Sequence, residues 1–132
     1  MPGEHTVGEG ADRYAPEALS PKGPVDAAHF HALDLRVGRV VAADPFPAAR
    51  KPSLRLRVDF GPHLGELETS AQITRYDPAE LIGRLVIGAV NLGVRRIAGL
   101  ESQFLVLGGL HPDGSVALLG LDEDLEPGST VA

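Results

Sequence analysis

Apolar and polar residues alternate along much of this chain at the period of a β-strand. Leu54, Leu56, Val58 and Phe60 alternate with Arg55, Arg57 and Asp59, the pattern of a half-buried strand with a charged outer face. Gly61-Pro62 ends it. An earlier strand is predicted from Leu35 to Val41, and the apolar phase shifts after Gly38, so this glycine is read as a bulge or barrel corner. Further strands are predicted at 68–73, 85–92, 104–107 and 116–119. The one at 85–92 is mostly apolar, so both its faces should be buried. The last follows a Pro112-Asp113-Gly114 turn and should form a hairpin with the strand before it.

Helical signal is thin. Asp77-Pro78-Ala79-Glu80-Leu81 offers an N-cap Asp, proline at the first helical position and an early acid, and Gly83 stops it. The segment falls between the third and fourth strands. Five main strands with one short helix in that slot outline an all-β OB-fold barrel, with one or two short helices and a C-terminal hairpin extension. Strand count alone leaves SH3-like barrels and small sandwiches open. The helix position favours the OB-fold.

Composition divides the chain. Its 132 residues are 43% hydrophobic, enough for one domain with its own core. Residues 1–28 hold four glycines and four prolines, and Met1, Tyr14 and Leu19 are their only large non-polar side chains. Such a stretch buries too little surface to offset its ordering entropy. It is expected to be a disordered tail, with a partner-docking arm as the alternative, and 29–132 is expected to be the domain. There are no cysteines, which excludes disulfides, thiolate metal sites and a Cys nucleophile, and fits a reducing compartment. No apolar run approaches a membrane span, and the N-terminus lacks the basic-then-apolar order of a signal peptide. A cytoplasmic protein without membrane insertion is expected.

Charge changes the picture more. The net charge is −6, from 12 basic and 18 acidic residues, which taken alone speaks against a nucleic-acid partner. The distribution is uneven. Residues 1–28 hold five acids and two bases, 36–96 hold ten bases and six acids, and 97–132 hold six acids and no Lys or Arg. A partner is selected by the local field, so the basic middle is where a polyanion site belongs.

Enzymatic motifs are missing: there is no G-x-S-x-G, Walker A, G-x-G-x-x-G or H-E-x-x-H. Asp122-Glu123-Asp124-Leu125-Glu126-Pro127-Gly128 superficially resembles a calcium loop, but proline stands where the glycine should, and a solvated acidic turn is expected. His29 and His31 would share one face of a strand, which permits a metal, yet no third ligand lies close in sequence. His63 and His111 sit beside prolines and should face solvent, and Ser70 has no recognisable base for a nucleophilic role. No catalytic residue, metal or cofactor is expected.

The basic residues are more informative. Arg50-Lys51 lies in a loop bracketed by Pro47 and Pro52, which would hold two cations outward. Arg55 and Arg57 continue the charge along the outer face of the second strand, and Arg95-Arg96 follows the fourth, close to Asn91. A groove combining cations with amide and hydroxyl donors suits phosphates and exposed base edges. A solubilising face is the competing explanation. With Phe60 and Phe104 expected in the core, aromatics for stacking bases are scarce, so recognition by shape and backbone is the more plausible mode.

Asp34-Leu35-Arg36-Val37-Gly38-Arg39-Val40 resembles the D-[IL]-R-V-G-x-[IV] opening of the tRNA-binding OB-fold domain family. That domain occurs at the C-terminus of bacterial methionyl-tRNA synthetases and in free-standing proteins. Within the family the resemblance is nearest to the CsaA-type secretion chaperones. Phe46-Pro47-Ala48-Ala49-Arg50-Lys51-Pro52 is similar to their F-P-E-A-R-K-P loop, Ser70-Ala71-Gln72-Ile73-Thr74 to S-A-Q-I-T, and Asn91-Leu92-Gly93-Val94-Arg95-Arg96-Ile97-Ala98-Gly99 to N-F-P-P-R-R-I-A-G. Ser102 and Leu105-Val106-Leu107-Gly108-Gly109 complete the pattern. The resemblance implies a homodimer whose groove binds tRNA, and a chaperone that binds unfolded polypeptides or preproteins. By position it assigns the contacts to Ser70, Gln72, Asn91, Arg95, Arg96 and Ser102, with Arg50 and Lys51 at the groove edge. Gly93-Val94 replaces the proline pair before the two arginines, so that loop is expected to be more flexible here.

Overall fold

The computed structural model describes residues 10–132. Its framework is a five-stranded antiparallel sheet curled into a nearly closed barrel, with strand order β3-β2-β1-β4-β7, as an OB-fold requires. The strands are β1 (Leu35–Pro45), β2 (Leu54–Asp59), β3 (Glu66–Ala71), β4 (Leu85–Ala89) and β7 (Leu105–Val106). Two hairpins lie outside the sheet: β5 (Arg95–Ile97) with β6 (Leu100–Ser102), and β8 (Gly108–Leu110) with β9 (Val116–Leu118). The short helices are α1 (Ala27–His31) and α2 (Pro78–Leu81). As expected, α2 falls between β3 and β4, and the Asp77 carboxylate caps it by accepting from Ala79 N at 3.1 Å.

The long β1 is shared between two partners. Leu35–Arg39 pair with β4, Arg39–Pro45 pair with β2, and the register shifts between Val40 and Ala42. The bulge therefore lies at Val41, so of the two readings of Gly38, bulge or barrel corner, the first does not hold. Gly38 has another task. A Cβ there would run into Val58 and come within 2.7 Å of Phe60 Cε1. Gly88 on β4 is similar, its absent Cβ lying 2.7 Å from Phe60 Cζ. The two glycines make a seat for the Phe60 ring, which meets Phe104 edge-on with centroids 4.8 Å apart. Around this pair Val40, Leu54, Leu56, Val58, Ile73, Leu81, Val86 and Leu118 form the core. The alternation at 54–60 is reproduced in full, with Leu54, Leu56, Val58 and Phe60 buried while Arg55 and Arg57 face solvent.

The acidic C-terminal segment is part of the architecture. Gly128 N donates to Val37 O, Val37 N to Ser129 O and Val131 N to Leu35 O, so it runs along the start of β1. Arg39 reaches Asp124 at 3.0 Å, and Asp122–Asp124 are otherwise exposed, as a solvated acidic turn would be.

His29 and His31 do not lie on a strand. They fall in the last turn of α1, whose Asp26 carboxylate accepts from Ala28 N at 2.9 Å. The alternation at this point covers too few residues to outweigh the cap. Among the described residues no group of three or more His, Cys, Asp or Glu is placed to hold a metal ion. No helix among them is long and apolar enough to cross a membrane.

Of the predicted tail, residues 1–9 lie outside the described residues. Residues 10–28 include a 3-10 turn at Pro16–Ala18. Tyr14 N donates to Pro112 O at 2.8 Å, and the Tyr14 ring lies over Gly114 at the tip of the β8–β9 hairpin.

Candidate nucleic-acid interface

Three stretches far apart in sequence meet on one side of the barrel. They are the loop after β1, the end of β3 and the turn of the β5–β6 hairpin. They enclose an open hollow of about 610 Å³ lined by Arg50, Lys51, Ser53, Ser70, Gln72 and Ala98 among others. Local chemistry explains the shape. Phe46 N donates to Ser53 O at 3.0 Å and the Ser53 hydroxyl donates to Lys51 O at 2.9 Å. With Pro47 and Pro52 restricting φ, these bonds pin the loop at its base and leave Arg50 and Lys51 exposed. Gln72 points outward between buried Ala71 and Ile73, as strand alternation requires.

The opposite wall belongs to a hairpin that the sequence reading did not foresee. Arg95 and Arg96 follow the fourth strand, as expected, but lie on a strand of their own. The fourth strand, β4, ends at Ala89, and the arginines open β5, in register with Ser102 and Glu101 of β6. The two-residue turn is Ala98-Gly99, with φ of 49° and 86°. Both central residues are left-handed, as a type I′ hairpin demands. Alanine at such a position gives little sequence signal, which is why the hairpin was missed.

The candidate contacts separate into groups. Arg50, Lys51, Ser70 and Gln72 share the hollow. Arg95 is exposed on the neighbouring hairpin, and Arg96 beside it pairs with Glu101 at 3.4 Å. Arg55 stands opposite Ser70 across the β2–β3 ladder, with Arg57 opposite Glu68. Asn91 is committed elsewhere: its Oδ1 accepts from Asp34 N and its Nδ2 donates to Ala32 O, each at 2.8 Å. It clips α1 to the end of β4. Ser102 is 9% exposed and its hydroxyl shares a 2.8 Å hydrogen bond with Thr69, tying the hairpin to the barrel wall.

Charge pairing revises the count of ten bases in the middle of the chain. Arg36, Arg39, Arg55, Arg57, Arg75 and Arg96 each face a carboxylate. Arg50, Lys51 and Arg95 form no ion pair among the described residues, and Arg84 lies over the Tyr76 ring at 5.3 Å. Of these four, Arg50 and Lys51 line the hollow, Arg95 stands on the hairpin that forms its wall, and Arg84 lies apart beside Gly83 and Leu85.

Glu68 was absent from the sequence-based site. It binds both β2 arginines, and the hydrogen bond from Arg57, joined by that from Arg55, holds its carboxyl below the usual carboxylate range. Gln103 fixes it in place: Glu68 N donates to Gln103 Oε1 and Gln103 N donates to Glu68 O, both at 2.8 Å. The signal was present in the chain, because Arg55/Arg57 and Glu66/Glu68 share a two-residue spacing and the short connection between strands sets their register.

Residues 35–130 match the family model described as "Putative tRNA binding domain". Among curated proteins, the methionine–tRNA ligase of Methanocaldococcus jannaschii is 34% identical over 107 residues, 81% of this chain and 16% of that enzyme. The chain therefore corresponds to only a small part of such ligases. Among solved structures, the chaperone CsaA from Bacillus anthracis aligns with a TM-score of 0.79 and 42% identity, covering 83% of this chain and all of that one. The CsaA chaperone protein from Picrophilus torridus aligns at 0.78 and 38%, with the same coverage. With most of the described fold inside the family match and Arg50 and Lys51 lining a hollow on its barrel, this chain belongs to the tRNA-binding domain family.

Proposed function

We propose that this chain is a cytoplasmic, non-catalytic RNA-binding protein of the CsaA type that holds tRNA through its phosphates. The observation that carries this reading is the set of exposed, unpaired cations Arg50, Lys51 and Arg95 around a hollow that also presents Ser70 and Gln72. Cations supply the salt-sensitive attraction, and the hydroxyl and amide supply directional bonds to the backbone or to exposed base edges. Phe60 and Phe104 are buried, which leaves half-buried Phe46 as the aromatic ring beside the hollow, so backbone and shape dominate recognition.

The test is a filter-binding titration with deacylated tRNA at several salt concentrations. The parent protein should bind with a clearly negative slope of log affinity against log salt. Changing Arg95 and Arg96 together to alanine should flatten that slope by about 1, less than two free cations would give because Arg96 already leans on Glu101. A parent protein that does not retain tRNA even at low salt sinks the reading.

A second ligand class is favoured by a separate observation. Phe30 and Leu33 at α1, Leu92 after β4 and Leu105 on β7 are 45%, 40%, 52% and 53% exposed. Asn91 joins α1 to the end of β4, and Ala89 pairs with Leu105, so the backbone positions that carry these side chains lie near the same end of β4. Exposed apolar groups in one place serve association: pairing of two copies into a homodimer, and capture of unfolded polypeptide beside the groove. The protein should suppress aggregation of a heat-unfolded client at near-stoichiometric ratio. Unchanged light scattering removes the chaperone role, and a monomer mass by sedimentation equilibrium removes the dimer.

A further inference from the structure

Several ion pairs decorate this barrel, but among the described residues only one carboxylate engages two arginines. Glu68 Oε1 accepts from Arg55 Nη2 at 3.1 Å and from Arg57 Nη2 at 2.8 Å, and Glu66 lies 3.9 Å from Arg57 Nε. The arginine side chains are 45% and 47% exposed while Glu68 is 23% exposed, so the acid lies beneath its partners. Its backbone is held on both sides, by β2 through the ladder and by Gln103 across the barrel seam. The acid is therefore a fixed feature of the surface.

The location matters. Arg55 is the cross-strand neighbour of Ser70, which lines the main hollow. On the other side of Ala98 a second hollow holds Arg55, Glu68 and Glu101. A phosphate chain leaving the first hollow in that direction meets two guanidinium groups already donating to Glu68. Arg55, Arg57 and Glu68 together carry one net positive charge, and Glu66 cancels it.

We infer that Glu68 is a built-in competitor of the bound polyanion, which keeps Arg55 and Arg57 out of phosphate contact and thereby limits affinity. The inference rests on the RNA-binding reading above. An exposed ion pair is weak enough to be exchanged, but a phosphate that takes over the arginines leaves Glu68 uncompensated and faces its repulsion at short range. Both penalties vanish when the carboxylate becomes an amide, which keeps the side-chain shape and an acceptor oxygen.

The experiment compares Glu68→Gln with the parent in tRNA filter binding from low to moderate salt. Affinity should rise about 3–10-fold near 0.15 M salt, and the salt slope should steepen by about 1 as the arginines become available. Glu68→Thr, which keeps strand propensity, should behave alike and guards against an effect peculiar to glutamine. In an Arg55→Ala/Arg57→Ala background the steepening of the salt slope should disappear, leaving only the gain from removing one unpaired negative charge. If the slope still steepens by about 1 there, the released arginines are not its source and the competitor assignment is overturned. If Glu68→Gln binds with the parent's affinity and slope while Arg50→Ala/Lys51→Ala weakens binding, the RNA reading stands and the competitor is overturned. If neither parent nor Glu68→Gln retains tRNA, both fall.

Discussion

Replacing Arg50 and Lys51 together by alanine should weaken tRNA binding about 10–30-fold near 0.15 M salt and flatten the salt slope by about 1.5. The size of the effect follows from what the two side chains lack. Neither meets a carboxylate among the described residues, so neither exchanges one anion for another when RNA arrives. Their loop is also ready for binding. Prolines flank it, and the bonds from Phe46 N to Ser53 O and from Ser53 to Lys51 O hold its base, so little ordering entropy is lost on contact. Arg55→Ala/Arg57→Ala removes the same formal charge from the same side of the barrel, yet it should cost only about 2–3-fold, because Glu68 already occupies those guanidinium groups. Filter-binding titrations of the two double variants across salt separate the cases. Equal losses would mean that ion pairing on β2 does not govern access to phosphate. A loss in Arg50→Ala/Lys51→Ala that stays the same at every salt concentration would mean that the loop acts through its shape.

That contrast shows where sequence reasoning succeeds and where it stops. A strand half buried against a core writes its period into neighbouring residues, so Leu54 to Phe60 and their outward arginines were legible at once. The α2 cap at Asp77 was legible for the same local reason. Residues 29–31 show the limit: three positions of alternation cannot distinguish a strand from one helical turn, and the decisive signal was the cap at Asp26. The β5–β6 hairpin was hidden because its turn places alanine at a positive φ, a conformation that the sequence does not advertise. The site was half visible. The cations could be counted, but a count by segment says nothing about which acid faces which base. Asn91 and Ser102 carry polar groups suited to a ligand, and the fold spends them on itself, one clipping α1 and the other bonding Thr69. Conversely Glu68, which belongs to an unremarkable strand in the sequence, becomes the residue that sets the charge of the groove wall once Arg57 stands opposite it.

Phe60→Ala should destabilise the domain by about 3–5 kcal/mol, a large part of the 5–15 kcal/mol that holds an ordinary domain folded. The ring is 1% exposed, and its removal also ends the edge-on contact with Phe104 at 4.8 Å. The backbone cannot easily close the gap, since Gly38 and Gly88, the residues that make room for the ring, have no side chains to fill it. The same geometry predicts a coupling. Gly88→Ala in the parent should cost about 1–3 kcal/mol through overpacking, because its Cβ would lie 2.7 Å and 3.1 Å from two atoms of Phe60. In the Phe60→Ala background two of the three close approaches at residue 88 disappear, and only Phe104 Cδ2 at 3.0 Å remains. The double variant should therefore be more stable than the sum of the single effects by about 1 kcal/mol or more. Urea unfolding of the four proteins closes this cycle. Additive effects would show that β4 approaches β2 for some other reason than the Phe60 ring. The outcome bears on binding as well, since β2 presents Arg55 and Arg57 on the face opposite that ring. A chain loosened at Phe60 but still folded should hold those arginines less firmly over Glu68, and its tRNA affinity should shift toward that of Glu68→Gln.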